Sequence, residues 1–323
     1  MTKKPSLNKL GYALSAFTLA LSSVAFFPAA VSPTFAQPGA EPTDIATITT
    51  EAGLRSFLQA SEGTTLRLQN DIVLTGNITS NANGSVLDLN GFSISLPYNV
   101  QFVNAGDLTI KNGTIIYTEK TDQDEGVAVT EVIKNTGSSL ALEDITISAG
   151  TINVVNSSNA NATVTIQGES VISSNNADGL FVNTGENHKL NVTLEGGSFT
   201  GKLIAKDTTE ATGDTLSIEG GEYSIETAAL STGFATQTIS GGKFVGRTAA
   251  PATIAAGSQA YRFAEEVEEG ETQTYTYVVD DETEIDGAGL YVKSGSTTAL
   301  SDFYTITPAT VDGVENEVAQ KAD

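Results

Sequence analysis

The sequence predicts an all-β protein: a right-handed parallel β-helix (solenoid) with a short N-terminal capping helix and a C-terminal strand hairpin cap. Three observations predict this fold class. A short unit of alternating apolar residues recurs along the chain, the gaps between units are similar in length, and Asn-Gly or Gly-Gly pairs follow many units. A repeat of about 20–50 residues is typical of solenoids, and alternation with period two is typical of strands.

The N-terminal segment, residues 1–36, is predicted to be a signal peptide. Lys3, Lys4 and Lys9 make its start positive, the stretch 10–27 is almost entirely apolar or small, and Ala36 ends a Thr-Phe-Ala triplet suited to cleavage. An uncleaved membrane anchor is the alternative, because the apolar run approaches the length of a membrane span. Residues 37–47 are expected to be a linker, and no later stretch is apolar enough to cross a membrane.

A short capping helix is predicted after the linker. The side chain of Thr49 or Thr50 can accept a hydrogen bond from a backbone N–H of the first turn. The negative charge of Glu51, also in the first turn, interacts favourably with the positive end of the helix dipole. The apolar face of this helix, which we expect to cover the first coil of the solenoid, comprises Leu54, Phe57 and Leu58.

The repeat itself is assigned to residues 48–250. Aligning its units by one apolar position gives spacings of 21, 21, 32, 24, 28, 24 and 21 residues. Each coil is too small to bury its own apolar side chains, whereas stacked coils share one core. The positions aligned in this way, all expected to face inward, are Leu68, Leu89, Ile110, Leu142, Ile166, Leu194, Ile218 and Ile239.

The longest gap, between residues 110 and 142, contains a polar and acidic stretch that we expect to protrude as a loop. Asp122, Asp124 and Glu125 in this loop are a candidate cation-binding group, since carboxylate oxygens suit Ca²⁺. The stretch lacks the spaced pattern of a defined Ca²⁺ loop, so a solvated loop is the alternative. No cofactor other than Ca²⁺ is expected.

The C-terminal part is divided into a capping hairpin, residues 251–280, and a tail, residues 281–323. Tyr261–Phe263 and Thr274–Val279 alternate like two strands. The tail has only weak strand signals, so we expect it to be strand-poor and partly disordered.

The charge of the chain excludes one class of partner. It contains 39 Asp and Glu against 16 Lys and Arg, a net charge of −23. Removing residues 1–36 takes away three lysines and no acids, which makes the net charge −26. Nucleic acid is therefore excluded as a partner, because its binding depends on neutralising phosphates with Lys and Arg.

Two stretches resemble a known family. The runs Leu87-Asp88-Leu89-Asn90-Gly91 and Leu108–Ile115 are similar to the opening coils of pectate-lyase-like β-helix surface or secreted proteins of Gram-positive bacteria. The later Gly-Gly-x-aromatic units, such as Gly241-Gly242-Lys243-Phe244, resemble their repeats, and the similarity covers about residues 48–280. The resemblance implies the fold and export. It does not imply one activity, because the superfamily contains lyases, hydrolases and non-catalytic adhesins.

Candidate catalytic residues are few. The segment Asn175–Leu180 resembles the first motif of polygalacturonase-like hydrolases, which makes Asp178 the candidate carboxylate if the protein is an enzyme. Hydrolysis of a glycosidic bond needs two carboxyls, and no second one follows at the next coil. Asp178 is otherwise interpreted as a turn residue and His188 as a solvated loop residue. Arg247, an arginine that a lyase could use, has no acidic cluster near it in the sequence.

We therefore expect a non-catalytic, secreted or cell-surface scaffold that is adhesin-like and binds an extracellular glycan or a cell-surface protein. One alternative is a divergent carbohydrate-active enzyme, either a polysaccharide lyase or a glycoside hydrolase. The other is a purely structural cell-surface spacer.

Overall fold

The computed structural model describes residues 45–121, 129–159, 161–186, 188–209, 213–256, 258–264, 272, 274–280, 291–294, 304–311 and 314–321. The predicted signal peptide, residues 37–44 of the predicted linker, and Asp122, Asp124 and Glu125 lie outside the described residues.

The fold is a parallel β-solenoid of about eight turns, which confirms the predicted class. Its helix is α1 (Glu51–Ala60). Its strands in chain order are β1 (Ala46–Ile48), β2 (Thr65–Leu68), β3 (Ile72–Val73), β4 (Ile78–Ser80), β5 (Asn83–Asp88), β6 (Ser93–Leu96), β7 (Phe102–Asn104), β8 (Asp107–Tyr117), β9 (Glu131–Asn135), β10 (Ser139–Ser148), β11 (Asn153–Ser157), β12 (Asn161–Gln167), β13 (Val171–Ser174), β14 (Phe181–Asn183), β15 (Lys189–Leu194), β16 (Ser198–Gly201), β17 (Ala205–Asp207), β18 (Thr215–Ile218), β19 (Glu222–Ile225), β20 (Ser231–Thr232), β21 (Thr236–Ile239), β22 (Gly242–Arg247), β23 (Gln259–Ala264), β24 (Tyr275–Asp280), β25 (Tyr291–Ser294), β26 (Tyr304–Val311) and β27 (Val314–Lys321).

Each full turn contributes one strand to each of three parallel ladders. The first ladder contains β1, β2, β5, the first half of β8, the first half of β10, β12, β15, β18 and β21. The second contains β3, β6, the second halves of β8 and β10, β13, β16, β19 and β22. The third contains β4, β7, β9, β11, β14, β17 and β20.

The first ladder contains the predicted row of inward-facing apolar residues, but its first two members differ from the prediction. The register partners that precede Ile110 in this row are Leu66 and Leu87, and not the predicted Leu68 and Leu89. A two-residue shift keeps side chains on the same face of a strand, so the apolar pattern does not distinguish the two registers. The other predicted members pair as expected, and all of these residues are fully buried: Leu66, Leu87, Ile110, Leu142, Ile166, Leu194, Ile218 and Ile239.

The second ladder has an inward row that changes character along the solenoid. Its first five members are isoleucines: Ile72, Ile94, Ile115, Ile147 and Ile172. Its last three members are aromatic: Phe199, Tyr223 and Phe244. Neighbouring rings in this aromatic part stack with centroids 4.9 Å apart.

In the third ladder, the last residue of each of the strands from β4 to β17 is polar and buried, and these residues form a row. Asn104 Nδ2 donates to Asn135 Oδ1 at 2.9 Å, which links successive turns. The row consists of Ser80, Asn104, Asn135, Ser157, Asn183 and Asp207, all register partners and all buried.

The corners between the first and second ladders explain the Asn-Gly and Gly-Gly pairs. In seven turns a corner residue has a positive φ, the conformation that glycine and asparagine tolerate best. The earlier of these corners place Asn90, Asn112 and Asp144 there, and the later ones place Gly168, Gly197, Gly221 and Gly242.

The N-terminal cap is close to the predicted one. Thr50 is the N-cap residue of α1 and its side chain accepts a hydrogen bond from the Gly53 N–H at 3.2 Å. Leu54 and Leu58 are fully buried, and α1 contacts β4. The solenoid starts slightly earlier than predicted, because Ala46 and Thr47 of the expected linker belong to β1, which pairs with β2.

The C-terminal cap is the predicted hairpin, formed by the antiparallel pair β23 and β24. Strand β24 also pairs with β22 in antiparallel fashion, so it ends the parallel stack. The segment 281–323, for which the sequence predicted little strand, contains β25, β26 and β27, which pair in antiparallel fashion. Sequence-based prediction of strands depends on the apolar pattern, and that pattern is weak in this segment. No helix among the described residues is long and apolar enough to cross a membrane.

Candidate functional site

The outer surface of the first ladder carries two adjacent rows of mostly hydroxylated side chains, which we call the threonine face. All of its residues are half-buried or exposed. The first row is Thr65, Val86, Thr109, Ala141, Thr165, Thr193, Ser217 and Thr238, and the second is Asp107, Ser139, Thr163, Asn191, Thr215 and Thr236.

Strand geometry makes the threonine face a regular array. Neighbouring strands lie about 4.8 Å apart, and residues two apart on one strand are separated by about 6.6 Å. The eight members of the first row therefore extend over roughly 34 Å along the solenoid axis. A hydroxyl donates one hydrogen bond and accepts two, so the array offers both functions at a fixed spacing.

The threonine face is almost without charge in a strongly acidic chain. Ten of its fourteen positions carry a hydroxyl, and Asp107 is its one ionisable residue. Thr215 Oγ1 lies 2.8 Å from Asn191 Oδ1, so members of adjacent turns can also bond to each other. A neutral, polar partner fits this surface better than an ionic one does.

One edge of the threonine face is lined by charges of alternating sign. Arg67, Asp88, Lys111 and Glu143 are successive register partners there. Arg67 pairs with Asp88 at 2.9 Å. Burial alone would raise the pKa of Asp88, but hydrogen bonds from the Asn112 side chain, the Asn90 N–H and Arg67 lower it below the usual value. The negative charge of Asp88 is thus stabilised by Arg67 and by hydrogen bonds, and these contacts link neighbouring turns.

Asp178, the candidate catalytic carboxylate, lies in the turn between β13 and β14. Its backbone N–H donates to Asn176 Oδ1 at 2.7 Å, and its carboxylate forms an ion pair with Lys206 on the next turn. The carboxylate is about half exposed, at 47%. Its described hydrogen bonds and ion pair involve no second carboxyl. This is the environment of a turn residue that pairs with a neighbouring coil.

Arg247, the arginine that a lyase could use, is buried and engaged with the backbone. Its guanidinium donates to the carbonyls of Ile225 at 3.2 Å and Thr227 at 2.6 Å, and to that of Ala228. Burial lowers the pKa of this guanidinium. These hydrogen bonds fix the chain that follows β19. The Arg247 side chain is only 5% exposed, so it is poorly placed to abstract a proton from a polymer.

Sequence reasoning missed Glu131, which the structure buries at the start of β9. Gln101 Nε2 donates to its Oε1 at 2.8 Å, and Asn156 Nδ2 and the Thr130 hydroxyl donate to its Oε2. These donors are neutral, and none of them comes from a basic residue. The only sequence signal was a glutamate at the start of a strand, which is more often exposed.

A metal centre is not formed by the part of the chain that is described: it contains no group of three or more His, Asp or Glu residues arranged to hold an ion. The candidate cation-binding loop with Asp122, Asp124 and Glu125 lies outside that part, so its role stays a prediction.

Comparisons of the chain with protein-family models, with curated proteins and with solved structures find no match.

Proposed function

We propose that the protein is a non-catalytic extracellular scaffold that binds a neutral glycan along the threonine face. The observation that supports the proposal is that the threonine face is long, regular and rich in hydroxyl groups, and that it carries almost no charge. A polymer with its own repeat can meet such an array at many points in succession.

The chemistry of the face fits a glycan. Sugar hydroxyls donate and accept hydrogen bonds, and threonine, serine and asparagine side chains do the same. The described part of the face has no aromatic residue for stacking on sugar rings, so each contact is weak. We therefore expect affinity to grow with the length of the glycan, since linked weak contacts reinforce one another.

The placement of the catalytic candidates favours binding over turnover. Asp178 is paired with Lys206, and Arg247 is bonded to backbone carbonyls. A hydrolase needs two carboxyls on either side of the scissile bond. Export is expected from the composition of residues 1–36, and the strongly acidic surface favours a neutral partner.

The test is binding of the purified protein to a glycan array and to insoluble neutral polysaccharides, with and without Ca²⁺. We expect a variant with Thr165→Lys and Thr193→Lys to bind at least about tenfold more weakly, because two long charged chains interrupt the array without touching the core. A matched control places the same change on two register partners at the outer surface of the second ladder, as Thr114→Lys and Thr146→Lys, and is expected to bind as the unmodified protein does.

Two results would contradict the proposal. Equal losses in the variant and its control would remove the threonine face as the site, and turnover of any polysaccharide by the unmodified protein would replace a scaffold with an enzyme. Binding to no glycan at all would favour the alternative of a structural spacer.

A further inference from the structure

Three asparagines of the chain are followed by glycine, and the fold gives each of them a different environment: Asn83, Asn90 and Asn112. An Asn-Gly sequence favours deamidation, because glycine has no Cβ to hinder attack by its backbone nitrogen. That nitrogen bonds to the side-chain amide carbon of the asparagine and closes a five-membered succinimide, while the amide group leaves as ammonia with the backbone proton. Water then opens the ring, so that amide and water have become a carboxylic acid, as aspartate or isoaspartate, and ammonia.

The nitrogen that would attack Asn83 belongs to the extra residue of a β-bulge. Strand β5 pairs with β8 through Asn83 and Asp107 and then through Ser85 and Leu108, so the register shifts between them. Gly84 has no register partner on β8 or on β2, its neighbours on either side. The extra residue of a bulge is left out of the hydrogen-bond ladder, so neither neighbouring strand holds this nitrogen.

The surroundings of Asn83 also leave room for the reaction. Asn83 and Gly84 are both exposed, and a Cβ atom on Gly84 would meet no other atom within 4 Å. The Asn83 side chain has no hydrogen bond to any residue in the described ranges. Its amide can therefore turn towards the Gly84 nitrogen without first losing a contact.

At Asn90 both reacting groups are held by neighbouring turns. Asn90 Nδ2 donates to the Leu68 carbonyl at 3.2 Å, and the Gly91 N–H donates to the Asn112 carbonyl at 2.6 Å. Ring closure must break both hydrogen bonds.

At Asn112 the amide is held and the glycine is crowded. Asn112 Nδ2 donates to Asp88 Oδ1 at 3.1 Å. A Cβ atom on Gly113 would lie 2.5 Å from Leu89 Cβ and 2.5 Å from the Phe92 carbonyl oxygen. The backbone here cannot turn towards the amide carbon without moving the preceding coil.

We propose that Asn83 deamidates spontaneously in the folded protein, and that the fold protects Asn90 and Asn112 from the same reaction. Losing one hydrogen bond before the attack slows a reaction by up to about tenfold. Since Asn90 must lose two and Asn112 must also displace packed atoms, we expect Asn83 to react at least about tenfold faster than either.

The reaction changes the junction between the capping helix and the first coil. The Asn83 N–H donates to the Ser61 carbonyl at 3.2 Å, and the Gly63 N–H donates to the Asn83 carbonyl at 2.9 Å. Isoaspartate adds one carbon to the backbone between these contacts, and either product adds a negative charge opposite Glu62. We therefore expect the aged protein to melt at a lower temperature than fresh protein.

The experiment incubates the purified protein at mildly alkaline pH, below its melting temperature, and follows deamidation by mass spectrometry. A protease that cleaves before aspartate separates the three asparagines into the fragments 71–87, 88–106 and 107–121. Aspartate formed at position 83 adds a cleavage point whereas isoaspartate does not, so the two products are told apart. We expect the mass increase to accumulate first in the fragment 71–87.

Two controls separate the fold from the local sequence. In denaturant the three sites should react at similar rates, because each is then a free Asn-Gly sequence. Asn83→Gln should abolish the reaction at position 83, since glutamine would have to close a larger ring, and should leave the rates at Asn90 and Asn112 unchanged.

The inference is overturned if Asn90 or Asn112 reacts as fast as Asn83 in the folded protein, or if Asn83 reacts only in denaturant. A tenfold preference for Asn83 that persists in denaturant would overturn it as well, because the local sequence and not the bulge would then decide.

Discussion

The N-terminal and C-terminal halves of the solenoid fill the interior behind the second ladder with different side chains. The inward row of the second ladder is built from isoleucine in the first five turns and from stacked aromatic rings in the last three. The corner that precedes this row changes at nearly the same point, from asparagine or aspartate to glycine.

In the N-terminal half, a side chain at the corner offsets the cost of a positive φ by bonding to a neighbouring turn. Asn90 Nδ2 donates to the Leu68 carbonyl at 3.2 Å, and Asn112 Nδ2 donates to Asp88 Oδ1 at 3.1 Å. Asp144 Oδ1 accepts from the Glu169 N–H at 2.7 Å. These corners are polar links between coils.

In the C-terminal half, the backbone of the preceding turn and, at Gly242, the ring of Tyr223 take the space that a corner side chain would need. A Cβ atom on Gly221 would lie 2.8 Å from the Gly197 carbonyl oxygen and 3.2 Å from the Tyr223 hydroxyl. A Cβ atom on Gly242 would lie 3.0 Å from Tyr223 Cε2. The comparison teaches that glycine at these corners lets successive turns approach more closely than a corner side chain would allow, and that the aromatic ring adds to this restriction at Gly242.

The largest expected effect is that of removing a ring. Tyr223 is fully buried between Phe199 and Phe244, so Tyr223→Ala should lower the free energy of unfolding by about 3–5 kcal/mol. Ile147→Ala, the matched truncation in the aliphatic half, should lower it by about 2–3 kcal/mol. Chemical denaturation measures both, and similar losses would mean that the stack contributes no more than an aliphatic row.

The second effect comes from exchanging the corners. Gly221→Asn should destabilise the protein by about 1–3 kcal/mol, because asparagine tolerates the positive φ but its Cβ meets the Gly197 carbonyl. Asn112→Gly should cost about 1 kcal/mol, the value of one hydrogen bond to Asp88. Thermal melting compares the two variants, and a Gly221→Asn protein as stable as the unmodified one would show that this corner has room for a side chain.

A smaller effect isolates the tyrosine hydroxyl. Tyr223 donates a hydrogen bond to the Gly220 carbonyl at 2.6 Å, and burial raises the pKa of its phenol well above the usual value. Tyr223→Phe keeps the stack and should lower the free energy of unfolding by about 1 kcal/mol. If this variant is as unstable as Tyr223→Ala, the hydroxyl and not the ring is the main contribution.

The smallest effect concerns acid. The folded pKa of Asp88 lies below its unfolded value, so its contribution is present above about pH 4 and is lost as the pH falls through the folded pKa. Arg67 is 40% exposed, which limits the contribution to about 1 kcal/mol or less. The unmodified protein should therefore lose more stability than Asp88→Asn in acid denaturation curves, and parallel curves would show that Asp88 is not a net stabilising group.

The sequence predicted the solenoid well because its core is a one-dimensional pattern. Ile110, Leu142 and Ile166 recur at spacings that stacking alone explains, and the hairpin of β23 and β24 follows from simple alternation. The register of Leu66 and Leu87 could not be obtained in this way, because a shift by two residues leaves the apolar pattern unchanged.

The candidate sites depend on which turns lie next to each other, and that depends on loop lengths. Thr165 and Thr193 directly precede the aligned Ile166 and Leu194, so the repeat places them in one outward row, but it does not indicate that the row forms a site. Asp214 lies in a Gly-Asp-Thr sequence typical of an exposed turn, although the structure places it inside. The position of Asp178 in a turn is a local feature, and its backbone N–H bonds to Asn176 only two residues earlier.

The reversal of strand direction at β24 limits how far the solenoid can extend. A row of unpaired backbone groups on a parallel edge accepts another strand of the same direction, which is how fibrils elongate. Because β24 runs against β22, a further coil of the same kind finds no matching template on that side. The second ladder therefore ends at β22, because β24 leaves no parallel edge on that side to which a further coil could add.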